Sequence, residues 1–546
     1  MNDFIKHNTS GAGTALTENG AVSYASTGSE LIDQFSKAGT ARGRDINDVW
    51  NDQAKLWGQD PLNALRFPFY LRMITRQSNL FEDGAKTEKV QKGQGARDEA
   101  FKRLLWIARY HSEEFYRNLW LLPVVGSWKD LWVLLSMDDT LDKEKFFNVF
   151  AEGINSESHK DLVKKYMPRI RSNRVCTTDW AKKTNELAKE FAKYAGWSMK
   201  EYREFKSTGK AHVFQRVLCS RMYDALNWNT IPGKALLNLV SGDFLKRHNL
   251  TENYIEWLKK QPVAKFNGYV YELGMKLPKS GGWGGIDMSR VSAAQKITID
   301  KQFDGLIATA EKDGPAIQGN VLVALDTSSS MQSQISGANG LTSFDVCVSL
   351  GIYFSELNKG DFHNVVAMFD NTSRLKTLKS STFTDKWAEI CNEETAWGGT
   401  NVLSLIDLMI RTRQQNPNIP LEDFAQTILV VSDMQFNPTN SYSYRSGRER
   451  TTYEAMQQKL RTAFPDEWVD GLKIIWWYCA SRDGSSHDVP ATMDMPGMYV
   501  VSGFDGAIIS LILKTKVDEK TGKTVSMTME ESVQEALSQE VLLLVQ

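Results

Sequence analysis

The apolar residues of this chain follow one pattern in its first half and another in its second. Up to about residue 270 they recur at i, i+3, i+4 and i+7, a spacing that predicts amphipathic helices. The segments with this spacing are 29–38, 61–75, 97–111, 113–121, 129–135, 177–195, 212–225 and 254–260. Many medium-length helices without intervening strands favour an all-α repeat of stacked antiparallel helix pairs, HEAT-like or armadillo-like. No fixed period is visible, so we expect any repeats to be degenerate.

After a further helix at about 292–312, the pattern changes to alternating strands and helices. Short apolar runs predict strands at 320–326, 363–369, 427–433, 472–479 and 497–501, with helices at 343–357, 401–414, 452–463 and 505–514. This alternation is typical of a doubly wound, Rossmann-like α/β fold whose parallel sheet has helices on both faces. We therefore expect a multidomain protein, with a helical-repeat domain over residues 1–315 and an α/β domain over residues 316–546.

Composition adds a local charge imbalance and an expected compartment. The formal charge of -1 conceals a basic segment, because residues 152–260 hold 21 Lys and Arg against 12 Asp and Glu. The five cysteines are widely spaced and form no C-x-x-C pair, a pattern typical of reduced thiols in an intracellular protein. The first residues lack the features of a signal peptide and no apolar run reaches membrane-spanning length. We expect a cytoplasmic protein with an anionic partner and no membrane contact.

A candidate metal site begins where the predicted strand at 320–326 ends. Asp326, Ser328 and Ser330 alternate at i, i+2 and i+4 and bring three hard oxygens to one point, which suits Mg²⁺ or another divalent cation. Ligands in open α/β sheets bind at the carboxyl ends of the strands. Thr400, in a Gly-Gly-Thr turn before a predicted helix, and Asp433, at the end of a second buried strand, would complete the set.

These five residues have alternative interpretations. Ser and Asp are favoured at helix N-termini, so the serines could form a helix cap. A nucleophilic serine is disfavoured because the chain has no G-x-S-x-G elbow and no histidine near the predicted strand ends. A metal-dependent hydrolase would need a general base, and none is placed here. We expect a binding site without catalysis, whose free metal position accepts an acidic group of a protein partner.

The order D-x-S-x-S, then G-G-T, then a strand-end Asp resembles the von Willebrand factor A (vWA) fold and its metal-ion-dependent adhesion site (MIDAS). Short segments elsewhere resemble the Ro-like (TROVE-type) ribonucleoproteins, above all the Ro-like family of eukaryotes and viruses. They are Leu16–Ala21, Ser26–Gly28, Asp60–Leu62, Leu122–Leu131, Tyr202-Arg203, Trp228-Asn229, Ile231-Pro232, Phe244 with Arg247-His248, and Val501–Phe504. The resemblance implies a helical ring with an A-type domain, and binding of small structured or misfolded RNA.

The basic segment supports RNA binding independently of this resemblance. A helix over 160–171 would carry two adjoining basic stripes, which neutralise phosphates and release counterions. The candidate RNA-binding residues are Lys160, Lys164, Lys165, Arg169, Arg171, Arg174, Lys182, Lys183, Arg216 and Arg221, with Tyr166, Trp180, Trp197 and Tyr202 as candidate base-stacking residues. Two alternatives stay open: a solvated helix face, and a metal-dependent protein-interaction scaffold that binds no RNA.

Overall fold

The computed structural model describes residues 14–40, 43–74, 93–207, 213–280, 285–313, 317, 319–338, 340–393, 397–439, 442–443, 448–479, 490–492, 495, 497–512, 515–517 and 524–546. The chain forms two compact units. The sheet unit consists of Met1–Arg44 and Ile231–Glu535, and the helical unit consists of Asp45–Thr230 and Ala536–Gln546. Among the described helices, none combines the length and the apolar character needed to span a membrane.

The helical unit contains many of the predicted helices and several that the apolar spacing does not reveal. Its helices are α2 (Ile46–Gln59), α3 (Pro61–Arg72), α4 (Arg97–Tyr110), α5 (Ser112–Asn118), α6 (Leu121–Val125), α7 (Trp128–Met137), α8 (Lys143–Asn155), α9 (Lys160–Tyr166), α10 (Asp179–Tyr194), α11 (Met199–Ser207), α12 (Val213–Cys219) and α25 (Glu540–Leu543). Helices α2, α6, α8, α11 and α25 were not predicted. The carboxyl end of the chain belongs to this unit, where the Gln546 backbone N–H donates to Asn118 Oδ1 at 2.9 Å.

Aromatic stacking and buried ion pairs stabilise the helical unit. Trp132 stacks on Phe150 with ring centroids 4.0 Å apart, and Phe191 meets both rings edge-on. Arg103 is fully buried on α4, where its guanidinium donates to Glu99 Oε1 at 2.8 Å and to Gln53 Oε1 of α2 at 3.1 Å. A buried charge is tolerated only when its donors are satisfied in this way.

A six-stranded mixed sheet forms the centre of the sheet unit. Its order is β10 (Met498–Ser502), β9 (Lys473–Tyr478), β6 (Thr427–Ser432), β3 (Val321–Asp326), β4 (Val365–Phe369) and β5 (Ser373–Thr377). All neighbours pair in parallel except β5, an antiparallel edge strand that was not predicted. Strands β3 and β6 are buried along their whole length, which explains their continuous apolar runs.

Helices surround this sheet, and only some of them lie at positions that its alternating pattern predicts. They are α18 (Ser343–Leu357), α19 (Phe383–Cys391), α20 (Leu403–Gln415), α21 (Thr452–Leu460), α22 (Asp466–Gly471), α23 (Ile509–Ile512) and α24 (Met529–Leu537), the last of which runs into Ala536 of the other unit. Two further antiparallel pairs join β7 (Tyr442–Ser443) to β8 (Arg448–Glu449) and β11 (Thr515–Val517) to β12 (Thr524–Ser526). The fold is therefore a helical region combined with an α/β region. Helices α19, α22 and α24 were not predicted.

The sheet unit also includes segments that we expected in the helical domain. These are α13 (Gly233–Val240), α14 (Phe244–Arg247), α15 (Thr251–Lys259), α16 (Val270–Gly274) and α17 (Ala293–Asp313). The change from helices to strands falls between α17 and β3, and the domain boundary at residue 315 stays a prediction.

The N-terminal segment contributes two short strands, which the apolar spacing of the largely helical first half did not predict. Strands β1 (Thr14–Leu16) and β2 (Val22–Tyr24) form an antiparallel hairpin, and α1 (Glu30–Ala38) follows it. Helix α1 packs against β10. At its end Gly39 donates its N–H to Ser502 Oγ at 3.0 Å, and a Cβ at Gly39 would lie 2.4 Å from the Ser502 carbonyl oxygen. Only glycine allows this close approach.

We predict a pH-dependent contribution to stability from Asp300, on α17. Its carboxylate accepts hydrogen bonds from the Thr384 N–H at 2.9 Å and the Thr384 hydroxyl at 3.1 Å, and burial raises its pKa to about 6. Because this pKa lies above the unfolded value, the contribution is fully present below about pH 4 and is lost as the pH rises through about 6.

Urea unfolding of the wild type and of Asp300→Asn, between about pH 4 and 7, measures this contribution, since the amide does not titrate. Relative to the variant, the wild type should lose about 2 kcal/mol of unfolding free energy across this range. A difference between the two proteins that does not change with pH contradicts the prediction.

Candidate functional site

The sheet brings Asp326 and Asp433 to the same edge. Strands β3 and β6 are parallel neighbours, and Leu325 pairs with Val431 in their register. Asp326 ends β3, and Asp433 follows the last residue of β6. A site that contains both residues requires these two strands to be neighbours, and the sheet meets this condition.

The Gly-Gly-Thr turn joins the same edge through hydrogen bonds with three other loops. Ser329 N–H donates to the Gly398 carbonyl at 3.1 Å, and Gly399 N–H donates to Asn371 Oδ1 at 2.9 Å. Thr400 and Asn437 are joined twice, by the Asn437 N–H to the Thr400 carbonyl at 3.0 Å and by the Thr400 N–H to Asn437 Oδ1 at 3.3 Å. The loops after β3, β4 and β6 thus meet at the turn that carries Thr400.

Glycine is required in this turn because the amide side chains lie so close. A Cβ at Gly398 would lie 2.2 Å from Asn371 Nδ2, and one at Gly399 would lie 2.4 Å from Asn437 Nδ2. Neither separation is possible without displacing the amide that holds the turn. Asn371 and Asn437 therefore position the site, although no sequence pattern singled them out.

The hydroxyls of the site do not act as helix caps. Ser328 precedes a short 3₁₀ helix, Ser329–Gln332, but its side chain makes no capping hydrogen bond; its Oγ lies 3.0 Å from Ser330 Oγ. The Thr400 hydroxyl is buried and has no hydrogen-bond partner among the described residues. A buried hydroxyl without a partner is costly, and a bound cation would supply the missing interaction.

Burial of two carboxylates sets the electrostatics of the site. Asp326 is fully buried and Asp433 is 3% exposed. Burial, and then the charge of Asp433, raise the pKa of Asp326 well above its usual value, while hydrogen bonds from Ser328 and Ser432 act in the opposite direction. Two like charges in a dry environment repel each other, and a divalent cation between them would remove this cost.

Ser432 belongs to the site but was not predicted. Its Oγ donates to Asp326 Oδ2 at 2.5 Å and accepts from the Met434 N–H at 2.9 Å. It therefore fixes the Asp326 carboxylate and begins the turn at the end of β6. The signal available in the sequence was a serine adjoining the strand-end acid, Ser432-Asp433.

The backbone beside the site adopts uncommon conformations. Met434, directly after Asp433, has φ 61°, and Trp397, which opens the Gly-Gly-Thr turn, has φ 47°. Non-glycine residues rarely occupy this left-handed region, and such positions cluster at functional sites. Asp433 Oδ1 accepts from the Gln435 N–H at 3.3 Å, so one carboxylate oxygen supports this turn.

These observations fit a hard divalent cation. Asp326, Ser328, Ser330, Thr400 and Asp433 supply carboxylate and hydroxyl oxygens, the donors that Mg²⁺ prefers. Within the described part of the chain, no group of three or more His, Cys, Asp or Glu residues is placed to bind a metal. A cation bound by only two carboxylates would therefore need the hydroxyl oxygens as further ligands. Ser330 is half-buried whereas the other four are buried, so it lies at the exposed side of the site.

The basic residues occupy a different arrangement from the one expected. Helix α9 ends at Tyr166, because Pro168 disfavours a helical conformation of the residue before it. The prediction of two basic stripes on a helix over 160–171 was therefore wrong. Arg169 and Arg171 lie in the following non-helical segment, and Arg174 lies in a 3₁₀ helix, Asn173–Val175. The basic cluster is therefore formed by a helix end and a loop.

The ten candidate residues differ in how their charges are compensated. Lys182 pairs with Asp179 at 3.3 Å, and Lys183 pairs with Asp139 at 3.2 Å. The other eight residues have no described carboxylate within ion-pair distance. They are Lys160, Lys164, Lys165, Arg169, Arg171, Arg174, Arg216 and Arg221. Seven of these side chains are exposed and Lys164 is half-buried. No hydrogen bond or ion pair in the described residues joins Arg216 and Arg221 to the others.

Lys206 of α11 is part of the basic cluster and was not predicted. Its ammonium group donates to the Lys164 carbonyl at 3.0 Å and thereby caps the end of α9. Burial, and then the charge of Arg169, lower its pKa to about 8. In the part of the chain that the structure describes, no carboxylate lies within ion-pair distance of the cluster formed by Lys164, Lys165, Arg169 and Lys206.

The aromatic candidates divide into buried and accessible rings. Tyr202 is fully buried and donates its hydroxyl to the Pro168 carbonyl at 2.8 Å, so its predicted role in base stacking was wrong. Trp197 is half-buried and packs on Phe205 at a centroid distance of 4.8 Å. Tyr166 is half-buried, with the Lys165 ammonium 5.0 Å from its ring centre, and Trp180 is 48% exposed, with the Lys129 ammonium 5.4 Å from its ring centre. The ring of Trp180 is the most accessible of the four.

We predict that Mg²⁺ stabilises the protein through Asp326. At a concentration about a hundredfold above its dissociation constant, Mg²⁺ should raise the unfolding free energy by about 2 to 3 kcal/mol. Asp326→Asn should abolish this increase. Without Mg²⁺ and above about pH 7, this variant should equal or exceed the wild type in stability, because it removes one of two buried like charges.

Thermal unfolding with and without Mg²⁺ measures both effects. Asp300→Asn is the matched control, because it neutralises another largely buried aspartate of the sheet unit and should retain the response to Mg²⁺. Equal melting temperatures of the wild type with and without millimolar Mg²⁺ contradict the metal assignment.

Comparison with known proteins gives two matches. Residues 320–542 match a family described as a domain of unknown function (DUF7788). This segment contains the whole six-stranded sheet and the five candidate metal ligands, but it is less than half of the chain. Over 549 residues the chain is also 22% identical to uncharacterized protein L728 of Acanthamoeba polyphaga mimivirus, covering 92% of this chain and 85% of that protein. The similarity to L728 thus extends over both units.

Proposed function

We propose that this protein is a non-catalytic RNA-binding protein, a cytoplasmic Ro-like (TROVE-type) ribonucleoprotein component that binds small structured or misfolded RNA. The observation that carries the proposal is the basic cluster at the end of α9. Lys164, Lys165 and Arg169 have no described carboxylate within ion-pair distance, and the ammonium of Lys206 is held beside them. A concentration of uncompensated positive charge favours a polyanion.

The surroundings of the cluster suit an RNA backbone. The Lys164 ammonium lies 4.6 Å from the ring centre of Phe205, and the Lys165 ammonium lies above Tyr166. Such contacts orient a cation without neutralising it, so both charges stay available to phosphates. Arg171 and Arg174 extend the exposed positive charge along the loop after α9. Contacts of this kind recognise backbone and shape, which agrees with RNA selected by structure rather than by base sequence.

The resemblance stated from the sequence supports the finer description of the two parts. We propose that the α/β part is a vWA domain with a MIDAS, and that the helices form a HEAT-like ring or horseshoe. Asp326, Ser328, Ser330, Thr400 and Asp433 would hold Mg²⁺ or another divalent cation there. The cation would leave a position for an acidic group of a protein partner, and the basic cluster would bind RNA separately.

The principal alternative is a metal-dependent protein-interaction scaffold that binds no RNA. The buried Thr400 hydroxyl favours it, because this observation points to a cation and is independent of the basic residues. If the protein is such a scaffold, the exposed lysines and arginines of the basic cluster would be only a solvated surface that binds no RNA. The two functions therefore differ in whether the basic cluster changes RNA affinity.

We predict that reversing three charges, with Lys165→Glu, Arg169→Glu and Arg174→Glu together, weakens RNA binding at least about tenfold. The three side chains are exposed, so the fold should be retained. The slope of log affinity against log salt concentration should fall by about 2 to 3 as the phosphate contacts are lost. Fluorescence anisotropy with a labelled RNA hairpin that carries a single-stranded extension gives both values.

A second triple variant with the same change in net charge is the control. Arg117→Glu, Lys143→Glu and Lys200→Glu reverse exposed charges of the same unit that already pair with Glu113, Glu190 and Glu204. RNA affinity should change little in this protein. If both variants lose affinity equally, or if the wild type binds no RNA, the RNA-binding proposal is wrong and the scaffold is favoured.

A further inference from the structure

The N-terminal hairpin contacts the loop that follows Asp433. The turn between β1 and β2 makes three hydrogen bonds to this loop. The Thr17 hydroxyl donates to the Phe436 carbonyl at 2.7 Å, the Glu18 N–H donates to Gln435 Oε1 at 2.7 Å, and Asn19 Nδ2 donates to the Gln435 carbonyl at 2.5 Å. The hairpin turn thus binds a loop that lies more than four hundred residues away in the chain.

The shape of the hairpin turn makes this contact possible. Thr17 N–H donates to the Ala21 carbonyl at 2.9 Å, and Gly20 N–H donates to the Thr17 carbonyl at 2.8 Å. Gly20 has φ 89°, a conformation that glycine adopts at little cost. Thr17 Oγ1 also accepts from the Ala21 N–H at 3.0 Å, so one buried hydroxyl closes the turn and bonds to the loop.

The contacted loop is continuous with two candidate metal ligands. Asp433 lies two residues before Gln435 and accepts the Gln435 N–H. Asn437 follows Phe436 and exchanges two hydrogen bonds with Thr400. Residues 433–439 belong to no helix or strand, and Met434 holds an unfavourable φ. Contacts from outside the loop therefore contribute to its conformation.

We propose that Thr17, Glu18 and Asn19 are positioning residues of the metal site, so that docking of the hairpin turn and binding of Mg²⁺ stabilise each other. The proposal rests on the metal site proposed above. Removal of a group that orients a metal ligand from outside the coordination sphere commonly lowers metal affinity about 10- to 100-fold. Because coupling free energies are reciprocal, the cation must strengthen hairpin docking by the factor by which docking strengthens its binding.

The first test compares the Mg²⁺ affinity of two threonine variants. Thr17→Val removes the hydroxyl that donates to Phe436, and Mg²⁺ should bind about tenfold more weakly by titration calorimetry. Thr40→Val is the control: it removes a buried hydroxyl of the same segment whose partner is the Lys37 carbonyl, at 3.2 Å. Its Mg²⁺ affinity should equal that of the wild type.

The second test uses amide hydrogen exchange, which reports on the metal-free protein too. Without Mg²⁺, the backbone amide hydrogens of residues 434–437 should exchange faster in Thr17→Val than in Thr40→Val. In the wild type, Mg²⁺ should slow exchange at residues 14–24, and in Asp326→Asn it should not. This reciprocal effect would be absent if Thr17 had only a general structural role.

The outcomes separate this inference from the metal assignment. If the wild type binds no Mg²⁺, both are wrong. If the wild type binds Mg²⁺ and Thr17→Val binds it equally well, the metal site stands and the role of the hairpin is overturned. Equal weakening in Thr17→Val and Thr40→Val indicates general destabilisation and also overturns the inference.

Discussion

The burial of two carboxylates at one edge of a parallel sheet is the constraint on which the sheet unit depends. Asp326 and Asp433 leave adjacent strands, and removing both from water raises the pKa of Asp326. Fixed donors reduce this cost: Ser432 holds one oxygen of Asp326, and the Ser328 N–H holds the other at 2.9 Å. The tight turns around the site allow these donors to approach. A divalent cation would offset the remaining repulsion, which is why the arrangement is best explained by metal binding.

The two proposed activities use opposite electrostatics and lie in different units. The metal site concentrates negative charge in a buried position, whereas the cluster around Arg169 and Lys206 concentrates positive charge at a surface. A cation at the first and a polyanion at the second would each relieve like-charge repulsion.

The sequence predicted the elements whose signal is local. Helix α18 and the five parallel strands have continuous apolar patterns, and the strand ends identified Asp326 and Asp433. Strand β5 is an exposed edge with little apolar content, so no such pattern marks it. Asn19-Gly20 is a typical hairpin-turn sequence, but the two strands beside it are too short to show an alternating apolar pattern. Ser432 and Lys206 act through partners distant in sequence, and only the folded structure reveals those contacts.

Anomalous diffraction from crystals grown with Mn²⁺ in place of Mg²⁺ tests the central claim most directly, because it locates the cation without relying on stability or affinity. We predict a single strong peak at the carboxyl edge of β3 and β6, in contact with oxygens of Asp326, Ser328, Ser330, Thr400 and Asp433 or of waters that they hold. The absence of a peak there, or a peak bound by other residues, would contradict the account.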